Sequence, residues 1–181
     1  ENVPNYSIIG GVKTDTPVEF DYPDDTSPNG QRNYTYTGSG GVPVGSLLHK
    51  VIFALKYQEQ RILLSNLINK DSKILFERNP RERVAKVAPW LTLDGDPYPA
   101  LVDGKIMWII DGFTTSAGYP YSRQSVLSNV IADIPSSATI GAQRNRTVNY
   151  IRNSVKATVD AYNGTVTLYE WNEKDPVLKT W

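Results

Sequence analysis

The stretch Ala100–Asp111, Ala-Leu-Val-Asp-Gly-Lys-Ile-Met-Trp-Ile-Ile-Asp, limits the possible fold more than any other. Two apolar runs flank Asp103-Gly104. Asp-Gly tolerates the two consecutive positive φ angles of a type I′ turn, so the stretch predicts a two-residue β-hairpin. In the second run Ile106, Trp108 and Ile110 share one face, and Met107 and Ile109 share the other. A strand apolar on both faces must be covered on both, which places it near the middle of a sheet.

A second hairpin is expected around Asn163-Gly164. With a two-residue turn there, Ala161 faces Val166 and Val159 faces Leu168 on one side of the ribbon. The other side pairs Tyr162 with Thr165, Thr158 with Tyr169 and Lys156 with Trp171. Small apolar side chains line one face; polar groups and aromatics line the other.

Three helices precede and separate these hairpins. Ser46 caps the first, in which Val44, Leu47, Leu48, Val51, Ile52 and Leu55 recur with the spacing of one apolar face. A second stripe runs through Ile62, Leu63, Leu64, Leu67 and Ile68. The third opens on Asn79-Pro80-Arg81-Glu82, an Asx cap followed by proline at the first helical position, and is expected to bury Val84, Val87 and Leu91. Pro89 is expected to distort its last turn. Residues 1–43 read as a turn-rich lead-in, with strand candidates at Thr16–Tyr22 and Tyr34–Thr37. A short helix is expected over Ser122–Ala132. The pattern predicts an α+β fold: an antiparallel sheet built on two β-hairpins, with about three helices packed on one side.

A chain of 181 residues can bury the core of a single domain. Nineteen basic residues balance nineteen acidic ones, which argues against a nucleic-acid partner or an anionic membrane surface. No apolar run is long enough for a helix to span a membrane within this segment. With no cysteine and one histidine, disulfides, thiol catalysis and histidine-rich metal sites are excluded. The terminal Asp175-Pro176 reads as a helix start placed close to the last residue. A fragment of a longer protein is therefore expected.

The acidic candidates are Asp94, Asp96, Asp103 and Asp111. Several such oxygens can hold a hard cation, and two acids facing one cleft can hydrolyse a glycoside. The spacing matches no EF-hand, and Asp-Gly is also ordinary turn chemistry. Gly40–Gly45 is spaced like a phosphate loop, but Ser46-Leu47 stands where Lys-Ser/Thr is required. His49 reads as a helix-face residue at the core margin. The basic cluster Arg78, Arg81, Arg83 and Lys86 is interrupted by Glu77 and Glu82, as on a solvated face. The binding candidates are aromatic: Tyr119 and Tyr121 in a Tyr-Pro-Tyr loop, and Tyr162, Tyr169 and Trp171 on the outer face of the last hairpin. Such surfaces take glycans, peptides or protein partners, or are covered by another part of a longer chain.

The sequence also resembles an uncharacterised family of large bacterial, mainly actinobacterial, multi-pass membrane proteins. The resemblance lies in Tyr36–Ser46, Asp71–Leu75, Asn79–Val84, Val87–Asp96, Trp108–Gly112 and Asn149–Tyr162. These runs extend through most of the chain after Tyr34. The family pattern has Asp-Gly where this chain has Asn163-Gly164. The resemblance implies that the chain is a piece of a soluble extracytoplasmic portion of a cell-membrane protein. It brings no cofactor, substrate or catalytic residue with it. The expected role is non-enzymatic binding or assembly, with the rest of the parent chain, an envelope glycan, a peptide or a protein as partner. The alternative is a metal-assisted or acid–base hydrolase of cell-envelope material, centred on the four aspartates.

Overall fold

A computed structural model of the chain describes residues 6–11, 19–28, 30–127 and 147–181. They gather into two compact units, residues 1–77 and 78–181. The fold is α+β, with antiparallel sheets in both units.

In the first unit β1 (Tyr6–Ile9) and β4 (Val42–Pro43) flank β5 (Lys73–Phe76) in a three-stranded sheet. Between them in sequence, β2 (Phe20–Pro23) and β3 (Gln31–Asn33) form a ribbon closed by a turn. In that turn Asp24 Oδ1 accepts from the backbone N–H of Thr26 at 3.0 Å. The strand expected at Thr16–Tyr22 starts at Phe20, and residues 12–18 lie outside the described residues. Tyr34–Thr37, expected as a strand, has no ladder. The Tyr36 N–H donates to the Glu19 carboxylate at 3.3 Å instead.

Helix α1 spans Leu47–Tyr57, and Ser46 Oγ caps it by accepting from the His49 N–H at 3.2 Å. Gln58 ends it in the left-handed conformation at φ 53°, so the apolar stripe that follows belongs to a separate turn, α2 (Arg61–Leu64). Ser65 stops α2 early: its backbone is extended and its hydroxyl accepts from the Leu67 N–H at 3.1 Å. The core of this unit is Val44, Phe53, Ile62, Ile68 and Ile74.

This core overturns the expected orientation of α1. Phe53 points inward at 6% exposure, whereas Leu47, Leu48, Val51, Ile52 and Leu55 all lie on the exposed side. Phe53 stacks against Tyr57 and meets Phe76, with ring centroids 6.3 and 5.8 Å apart. Large rings close to the sheet win the inward face over the aliphatic stripe.

The second unit begins with α3 (Pro80–Val87), capped as expected by Asn79, whose side chain accepts from the N–H groups of Arg81 and Glu82. Ala88 leaves helical geometry because a residue before proline is pushed out of the α region. Val84, Ala88 and Leu91 are buried as the inner face, but Val87, expected to be buried with them, is exposed. Val84 and Ala88, four residues apart, share the face turned to the core, and Val87 lies about 100° round the helix from Ala88.

The five-stranded sheet contains β6 (Thr92–Leu93), β7 (Tyr98–Val102), β8 (Lys105–Ser116), β11 (Tyr150–Asp160) and β12 (Val166–Glu170). β9 (Ser125–Val126) and β10 (Thr147–Val148) form a separate ribbon. Within the span expected as a helix, Ser122–Ala132, Ser125–Val126 form β9 and Leu127 is helical; residues 128–146 lie outside the described residues.

Asp103 and Gly104 make the expected turn, with φ 49° and 75°, and Val102 pairs with Lys105. β8 is the middle strand, with β11 on one side and β7 and then β6 on the other. Its inner face meets α3: Val84, Ala88, Leu93, Ile110, Val155, Ala157 and Val159 are buried there, with Trp108 packed against them. Each buried Val, Leu or Ile there contributes about 1.5–3 kcal/mol relative to exposure. The outer face is only half-covered at Met107 and Ile109; on the inner face Ile106, near the hairpin tip, is exposed.

The last hairpin departs from its expected register. Val159 pairs with Val166, Ala157 with Leu168 and Lys156 with Tyr169, two residues out of the expected pairing. Asp160 sets the longer loop, its Oδ1 accepting from the N–H groups of Tyr162 at 2.7 Å and Asn163 at 2.9 Å. A slip of two residues keeps every side chain on its expected face.

Candidate functional site

The outer face of the five-stranded sheet carries the residues with binding chemistry. Lys156 sits at its centre on β11, directly across from Tyr169 on β12 and from Asp111 on β8. Its ammonium pairs with Asp111 Oδ1 and lies 5.6 Å from the Trp171 ring centroid. The Asp94 N–H donates to the Asp111 carbonyl at 2.9 Å, continuing the β6–β8 ladder. Tyr169, Lys156, Asp111 and Asp94 therefore form one row across three strands and the residue that follows β6. Tyr169 and Trp171 are exposed along this row, and Tyr98 is exposed on the same face, opposite Ile109. Asn153 Oδ1 and Thr158 Oγ1, also on this face, are buried with no hydrogen-bond partner among the described residues.

The four aspartates do not all converge, although Asp94 and Asp111 are cross-strand neighbours in this row. Asp103 is at the hairpin tip, roughly 26 Å from Asp111 at 3.3 Å per strand residue. Asp111 is engaged by Lys156, Asp94 Oδ1 accepts from the Gly95 N–H at 2.7 Å, and Asp96 is exposed. Among the described residues no group of three or more His, Cys, Asp or Glu side chains is placed to hold a metal ion.

The five aromatic candidates fall into separate places. Tyr169 and Trp171 stand together on the outer face. Tyr162 is exposed in the loop beyond Asp160. Tyr119 and Tyr121 lie at the opposite end of β11, where Tyr119 stacks on Tyr150 with centroids 5.1 Å apart. Tyr150 pairs with Ser116 and so belongs to the inner face. Their loop is pinned by Asn149, whose side chain accepts from the Tyr119 N–H at 3.0 Å and donates to the Tyr119 carbonyl at 2.7 Å. Tyr121 is fully exposed and has φ +55°, a strained conformation for an aromatic residue.

Beneath Tyr119 is a polar centre that sequence reasoning missed. Asp175 is wholly buried, and its carboxylate accepts from the hydroxyls of Thr114, Ser154 and Tyr150. The Tyr150 bond is 2.6 Å, and the Val177 N–H adds another at 2.9 Å. Burial alone would raise the acid's pKa, but the bonds from Ser154, Thr114, Tyr150 and Val177 together hold it down to about 2. Tyr150 is pushed up to about 12, by burial first and then by the Asp175 carboxylate. Asp175-Pro176 reads as a helix cap in sequence; in the structure Asp175 accepts from the Val177 and Lys179 N–H groups just ahead of a 3-10 turn, Leu178–Thr180, whose own cap is Val177. Nothing local to it signals that the cap is sealed under a sheet.

The whole chain, residues 1–181, matches the family described as Uncharacterised protein family (UPF0182). The chain belongs to that family. It is 56% identical over 183 residues to a UPF0182 protein of Frankia alni, 54% identical over 184 residues to one of Arthrobacter sp., and 55% identical over 177 residues to one of Mycobacteroides abscessus. All or nearly all of this chain is covered in each case, yet it spans only 17–18% of those relatives' length. This UPF0182 segment thus corresponds to one part of much longer proteins in actinobacteria. No solved structure matches it.

Proposed function

We propose that this UPF0182 segment is a non-enzymatic binding or assembly domain, held outside the cytoplasm by a parent protein anchored in the cell membrane. The observation that carries the binding reading is the outer sheet face, where Tyr169 and Trp171 stand exposed beside the Lys156–Asp111 pair. Exposed rings next to a paired charge offer a partner large apolar contact area at low entropic cost, with a polar point to fix orientation. Assembly is favoured over capture of a small ligand. Tyr98 on β7 and Tyr169 on β12 are both exposed on this face, three strand spacings or about 14 Å apart, too far to share one small groove. A protein partner spans such a distance.

The test uses the full-length parent. Replacing Tyr169 and Trp171 together by Ala should reduce the mass of the detergent-extracted complex on native sizing while the protein's protease resistance stays unchanged. An unaltered complex overturns the binding reading. Separately, Tyr121→Cys should react with a membrane-impermeant maleimide on intact cells. Labelling only after lysis overturns the extracytoplasmic placement.

A further inference from the structure

Helix α1 is apolar on both sides. Its inward side carries Phe53 into the core of the first unit, and its outward side presents Leu47, Leu48, Ile52 and Leu55. Leu48 is 68% exposed and Leu55 73%. The stripe continues past the Gln58 break through Leu64 and Leu67, both exposed. A helix with two apolar sides has a second side left to bury, and folded monomers rarely leave an aliphatic patch of this kind open.

The charges of α1 point to what covers it. Helices that lie on a membrane use their cations to reach lipid headgroups. Here Lys50 Nζ donates to the Ile68 carbonyl at 3.0 Å, and the Lys56 ammonium sits 4.3 Å from the Phe76 ring centroid. Both cations are engaged by the protein's own surface, which leaves the outward side purely aliphatic. That surface suits an apolar protein segment. More than four-fifths of the length of relatives 54–56% identical to this chain lies outside the part it matches.

We infer that the outward face of α1, extended by Leu64 and Leu67, is the docking site for an aliphatic segment of the same parent chain lying outside these 181 residues. The contact is intramolecular and is made by side chains alone, since α1 satisfies its own backbone.

The experiment places a benzophenone amino acid at Leu48, and separately at Leu64, of the full-length protein in its native membrane, with Arg61 as an exposed control. After irradiation and digestion, mass spectrometry should find Leu48 and Leu64 joined to peptides of the same chain from outside this segment. The yield should be several-fold above that at Arg61, with no gain in mass of the intact chain. Lipid adducts, covalent dimers through the same helix, links to residues 78–181, or yields no higher than at Arg61 each overturn the inference. The two sites guard against a local failure to fold at either one.

Discussion

Asp175 shows how much one residue can hold in place. Its carboxylate gathers three hydroxyls from two central strands and seals the final turn beneath the sheet. Its pKa of about 2, against an ordinary 3.8, means that folding favours the ionised form. The corresponding stabilisation, about 2 kcal/mol, is complete above pH 3.8 and is lost as pH falls through about 2. Asp175→Asn should therefore lower stability at pH 7 by about that amount and flatten the acid limb of a pH-dependent unfolding series. Tyr150 gives the opposite limb. Its phenol is favoured in the neutral form, so its contribution is present below pH 10 and fades as pH rises toward 12. Tyr121 is a residue under strain instead. A bulky side chain in left-handed backbone costs roughly 1 kcal/mol, so Tyr121→Gly should raise the unfolding temperature slightly. The same change should abolish any binding that depends on the ring.

At the scale of elements, the parts legible in the sequence were those set by local chemistry. Asp103-Gly104 fixed one hairpin and Asn79-Pro80 fixed the start of α3, because turn and cap preferences act within a few residues. The outward placement of Tyr169 and Trp171 was legible from strand alternation. The orientation of α1 was not, because both of its faces are apolar and periodicity cannot rank Phe53 and Tyr57 against the leucines. The register of the last hairpin differs from the turn's local preference because Asp160, one residue ahead of the expected pairing, captures the loop N–H groups. The Lys156–Asp111 pair joins residues 45 apart and the Thr114–Asp175 bond residues 61 apart, so only the fold reveals them. The orientation of α1 makes a clear prediction for the segment by itself. Phe53→Ala should cost about 3–5 kcal/mol in chemical denaturation, while Leu48→Gln should stay within about 0.5 kcal/mol. Equal losses would mean that the leucine stripe, too, packs within this segment.

The chain spans 17–18% of the length of its UPF0182 relatives, and its two units have separate cores while leaving apolar surface exposed. Two surfaces carry this character: the aromatic outer face of the five-stranded sheet and the aliphatic side of α1. The second has a consequence for the segment as a colloid. With a formal net charge of zero at pH 7, copies cut free of the parent have no long-range repulsion to keep them apart. Light scattering should give a negative second virial coefficient near neutrality. It should turn positive when Leu48 and Leu55 are both changed to Gln, even with the charge left untouched.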